Sequence, residues 1–68
     1  MKNKFGETIQ KLRKEQKMTL QELSKKSNIS IVSLNYYENG KCMPKARNVY
    51  KLSLALNYDF DELLELTK

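Results

Sequence analysis

"TLQELSKKSNISIVSLNYYENG", residues 19–40, decides the fold. Thr19 and Glu22 stand at capping-box spacing, where each side chain satisfies the other's exposed backbone N–H, so a helix starts at Leu20. Met18 and Leu23 lie just outside and one turn inside that cap, the spacing of a hydrophobic staple. This helix runs to about Lys26, and "SNI" follows as a connection. Ser30 caps the next helix, with Ile29 and Leu34 as a second staple. Gly40 ends it, because glycine enters the left-handed region at low cost. Two short helices joined by three or four residues, the second closed by glycine, describe a helix-turn-helix over about residues 19–39. Other small helical bundles contain such a corner, so spacing alone does not single out one family.

The second of these helices has an unusual outer face. Successive residues turn by about 100°, so Leu34 and Tyr37 share one side while Val32 and Tyr36 point away from it. An outward Val beside an outward Tyr needs a partner, either DNA or another protein. Ile31 sits about a quarter turn from the core axis and fits either side.

The flanking segments read as helices too. Phe5, Ile9 and Leu12 recur at helical spacing and predict a first helix over about residues 3–16, in which Gly6 costs about 1 kcal/mol relative to Ala. Pro44 closes the loop "KCMP", and a fourth helix covers about residues 45–57 with Val49, Leu52, Ser53 and Leu56 on one stripe. Asp59 and Glu62 repeat the cap logic at the start of a fifth, with Tyr58 and Leu63 as its staple. No stretch alternates over strand length, and no linker, repeat or low-complexity tract interrupts the chain. The expectation is one compact all-α domain of five helices over residues 1–68. Tyr50 and Leu54, with Tyr58 four residues on, mark a second face of the fourth helix. They either pack the fifth helix or form a dimer seam, which would suit a chain too short for a large core.

Charge is unevenly spread. The net charge is +5, yet residues 59–68 hold four acids and one lysine, leaving residues 1–58 with twelve Lys/Arg against four Asp/Glu. A basic body fits an anionic partner such as nucleic acid, although scattered lysines are also ordinary solubilising surface. The chain has no histidine and a single cysteine, Cys42. That excludes an intramolecular disulfide, the usual zinc sites and the commonest general base. Cys42 reads as an inert loop thiol or as a redox sensor. With no glycine-rich phosphate loop and no nucleophile–base pair, neither an enzyme nor a metal or other cofactor is expected. No apolar run approaches the 18 or so residues of a membrane span, and "MKNKFGETIQK" lacks the apolar stretch of a signal peptide, so a cytoplasmic location is expected.

"FGETIQKLRKEQKMTLQELSKKSNISIVSLNYYENGKCMPK", residues 5–45, followed by "VYKLSLALNYDFDELL", residues 49–64, resembles the phage repressor and Cro-like helix-turn-helix family, also called the xenobiotic response element family. The "LR" of the first helix, the capped "ELS", the "NIS" turn, "YENGK" and "LSLALNYDFDELL" carry the likeness in order. The resemblance implies a lambda repressor-like domain whose third helix enters the major groove of double-stranded DNA, as a homodimer on a palindromic operator. It implies a transcriptional repressor or dual regulator of bacterial, phage or plasmid origin. No sensor domain is seen, so no small-molecule ligand is expected.

Carried over residue by residue, Ile31, Val32, Ser33, Asn35 and Tyr36 would face the bases. Val32 suits a thymine methyl and Asn35 an adenine edge, both favouring A·T pairs. The backbone around Asn39, Gly40 and Lys41 would meet phosphates, with Lys45 nearby. The family's phosphate-binding glutamine directly follows the cap of the second helix. Here Leu20 holds that place and Gln21 follows one residue later as the candidate. Arg13 and Glu38 match a buried salt bridge between the first and third helices. The alternative function is an antitoxin-type protein-interaction module that binds DNA secondarily; such proteins usually add a toxin-wrapping segment, and this chain ends soon after the fifth helix.

Overall fold

Each turn of chain is set by a local device, and the helices lie between those devices. A computed structural model describes residues 3–68. Its helices are α1 (Lys4–Glu15), α2 (Leu20–Ser27), α3 (Ile31–Glu38), α4 (Ala46–Leu56) and α5 (Phe60–Glu65), and there is no strand among the described residues. The Asn3 side chain caps α1 by accepting from the Gly6 N–H at 2.7 Å. Thr19 and Glu22 make both bonds of the capping box of α2, at 3.1 and 2.8 Å. Ser30 Oγ accepts from Ser33 N–H at the start of α3. At α5 only the forward half forms: Asp59 accepts from the Glu62 N–H.

The exits are equally local. Gly40, at φ 72°, follows the C-cap Asn39, and the Gly40 and Lys41 N–H groups return to the carbonyls of Tyr37 and Tyr36. This is the paired bond pattern of a Schellman motif, and it closes α3 in a single residue. Lys17, Asn28 and Asn57 take the same left-handed conformation after α1, α2 and α4. Lys45 is the N-cap of α4 and makes no side-chain cap bond.

α3 packs chiefly on α1 and α2, while α5 packs chiefly on α4. Phe5, Ile9, Leu23, Ile29, Leu34, Tyr37, Val49, Leu52, Ala55, Leu56 and Leu63 form the core. The Phe5 and Tyr37 rings meet edge to face at 6.4 Å, joining α1 to α3. Gly6 lies buried at the same crossing. Gln16 Nε2 donates to the Leu56 carbonyl at 2.7 Å, tying the exit of α1 to the end of α4. The acidic segment is thus carried chiefly on α4.

Candidate nucleic-acid interface

α3 is anchored from three sides, which leaves its remaining side bare. Leu34, Tyr37 and Glu38 are its buried residues. Tyr37 Oη accepts a hydrogen bond from Asn48 Nδ2 at 2.9 Å, locking α3 to α4. Glu38 receives the Arg13 guanidinium in a two-pronged pair, Nε to Oε2 at 2.8 Å and Nη2 to Oε1 at 3.0 Å. The remaining terminal nitrogen of Arg13 donates to the Met18 carbonyl at 2.8 Å, so one side chain joins α1, the α1–α2 turn and α3. The hydrogen bond to Glu38 raises the Arg13 pKa, against burial, which lowers it. Arg13 therefore stays charged, and its fork matches the carboxylate plane.

The outer face of α3 carries Ile31, Val32, Asn35 and Tyr36, all exposed, with Ser33 half-buried at its edge. Val32 is 59% exposed and Tyr36 46%, large values for such residues on a helix held this firmly. Ile31, which sequence left between core and surface, lies outward and lines a shallow cleft with Gln21, Ser24 and Lys25 of α2. Gln21 thus stands beside the start of α3, on the exposed side of α2. Ser33 Oγ accepts from Ser30 Oγ at 3.0 Å, so its own hydroxyl proton remains available. Asn39, Lys41 and Lys45 are exposed beyond the end of α3, and Gly40 is half-buried between them. Lys45 also borders a second groove with Met43, Arg47 and Lys51. Cys42 is a free, exposed thiol in that loop.

On α4, Tyr50 and Leu54 are 53% and 64% exposed. Tyr50 packs edge to face on Phe60 of α5 at 5.7 Å, so the α5-packing reading accounts for part of it. Leu54 is not among the core residues or those packed against the core. Tyr58 is half-buried against the core and turned further inward than the other two. Sequence reasoning missed the Asn3 cap, the Asn48–Tyr37 bond and a bond from Asn39 to Asn35 on α3 itself. Only the first carried a signal, an Asn directly before the first helix-forming stretch.

A capped two-helix corner, with the second helix buried on one side and bare on the other, defines a helix-turn-helix protein. The chain belongs to the Cro/C1-type helix-turn-helix family, whose pattern it matches over residues 9–63. That is a family of DNA-binding regulators and not of enzymes. It is similar to the HTH-type transcriptional repressor RghR of Bacillus subtilis (strain 168), at 36% identity over 61 residues. The match covers 88% of this chain and 45% of that protein, so the chain spans a little under half the length of this relative. No helix among the described residues is long and apolar enough to cross a membrane.

Proposed function

We propose that residues 1–68 act as one DNA-binding unit of a transcriptional regulator, a repressor or dual regulator, with α3 in the major groove of double-stranded DNA. The single observation that carries this reading is the exposed Val32–Tyr36 face on a helix fixed from behind by Leu34, Tyr37 and the Arg13–Glu38 pair. Ile31, Val32, Ser33, Asn35 and Tyr36 face base edges. Gln21, the backbone at Asn39, Gly40 and Lys41, and the Lys45 ammonium meet phosphates. The excess of basic residues before position 59 supports it, because phosphate neutralisation supplies the non-specific affinity of such proteins and a large share of the specific. The name of the Bacillus relative agrees with repression. Binding is by a homodimer on a palindromic operator, with Tyr50, Leu54 and Tyr58 at the seam.

The test is selection of bound duplexes from a random pool, followed by a salt titration on the selected sequence. If a dimer neutralises about six phosphates, the log–log slope of affinity against salt is near −5. A selected sequence with twofold symmetry and such a slope supports the reading. A slope near zero overturns it and leaves the α3 face to a protein partner.

A further inference from the structure

Asn39, the C-cap of α3, turns its side chain back along the helix. Its Nδ2 donates to the backbone carbonyl of Asn35 at 2.8 Å and to Asn35 Oδ1 at 2.9 Å. The first bond orients both amides. A backbone carbonyl only accepts, so the Asn39 atom facing it is the NH2 group and not the oxygen. An amide NH2 only donates, so the Asn35 atom beside it is Oδ1. Asn35 is left with its own Nδ2, which makes no hydrogen bond among the described residues, on an exposed side chain.

We propose that Asn39 is a positioning residue that presets Asn35 as a donor, so that Asn35 reads the paired acceptors of a guanine, O6 and N7. This rests on the reading of α3 as the major-groove helix. An adenine edge offers one acceptor, N7, and one donor, the N6 amine, and an asparagine reads it by presenting oxygen and NH2 together. With Oδ1 turned to Asn39 and both Nδ2 hydrogens left free, a contact made by that NH2 meets another donor at the amine of adenine or cytosine. Guanine places two acceptors side by side for the two NH2 hydrogens, as it does for a lysine or arginine. Thymine offers O4 alone, next to its methyl group. In the free protein the Asn35–Asn39 bond is open to water. Docking excludes that water, and in the lower dielectric the bond holds the amide more firmly. The side-chain type alone pointed to adenine; the neighbour one turn later reverses the preference.

The experiment is duplex selection from a random pool with the full chain and with its Asn35→Ala, Asn39→Ala and Asn39→Asp variants, alongside their melting temperatures. The position read by Asn35 is the one whose preference Asn35→Ala flattens. Guanine is expected there for the wild-type chain. Asn39→Ala frees the Asn35 amide to turn, and the guanine-to-adenine ratio at that position falls at least about tenfold, the scale of one bidentate contact. Asn39→Asp can donate neither to the Asn35 carbonyl nor to its Oδ1, so Oδ1 is released to accept and the preference shifts towards adenine or cytosine, whose amines donate. A merely structural role for Asn39 would weaken all sequences together and leave the ratio unchanged, and that result overturns the proposal. So does adenine at this position for the wild-type chain. Selection of no sequence at all overturns the DNA reading itself, a different failure from a selected motif with the wrong base.

Discussion

The Cα of Gly6 in α1 lies so close to α3 that a Cβ there would strike the carbonyl oxygen of Tyr37, and would stand 3.0 Å from that of Glu38. Helix propensity alone makes Gly6→Ala stabilising by about 1 kcal/mol. The crossing opposes it. Both obstacles are backbone atoms, which cannot rotate away as a side chain can, and overpacking of this kind costs about 1–3 kcal/mol or more. Gly6→Ala is therefore expected to destabilise the fold by up to about 2 kcal/mol net, read as a lower denaturant midpoint. A raised midpoint would show that α1 and α3 can separate freely.

Arg13→Ala removes the fork that holds Glu38, which is only 2% exposed. A buried carboxylate without its partner costs about 3 kcal/mol, so the melting temperature should fall with no DNA present. Because the raised Arg13 pKa puts loss of its charge above the ordinary arginine range, its contribution is complete below that range. Arg13→Lys keeps the charge but loses the two-pronged geometry, and an intermediate loss is expected. An unchanged melting temperature for Arg13→Ala would remove the pair from the account of α3's anchoring.

The helices and the caps of α2, α3 and α5 were legible because their signals are local. Thr19 with Glu22 and Ser30 each fix a helix start within four residues, and Gly40 fixes an end. The outward direction of Val32 and Tyr36 followed from helical period alone. Gly6 was misread as a weakness of α1, because its value lies in a contact with residues more than thirty positions away. Tyr37 carried no sign that Asn48 would donate to it. Asn39 was read through its backbone, and nothing in its position announced that its side chain would claim Asn35 Oδ1. Local chemistry wrote the elements, and long-range or side-chain pairing decided how α3 is held and what it offers.

Leu54 is the most exposed large apolar residue of the described chain, and Tyr50, one turn earlier, stays exposed despite its contact with Phe60. If this face is the dimer seam, Leu54→Asp places two like charges near the twofold axis, where desolvated repulsion costs several kcal/mol. The protein should remain folded, because Leu54 is outside the core, and should sediment as a monomer with weaker operator binding. A dimer that survives the substitution puts the contact on another surface. A wild-type chain that is monomeric even on operator DNA removes the seam altogether.

Val32 and Tyr36 lie one turn apart on α3, opposite Leu34 and Tyr37, and neither belongs to the core. Replacing either by Ala should change folding stability by less than about 0.5 kcal/mol, as for surface residues generally. Specific binding should weaken by about 1–3 kcal/mol, the scale of one lost base contact, through a thymine methyl for Val32 and a base edge for Tyr36. Non-specific binding, which depends on lysines and arginines, should barely move. The difference between those two affinities is what the measurement reads, at one fixed salt concentration. Loss of both together would place these side chains on the phosphates, and retention of both would leave the face to a protein partner.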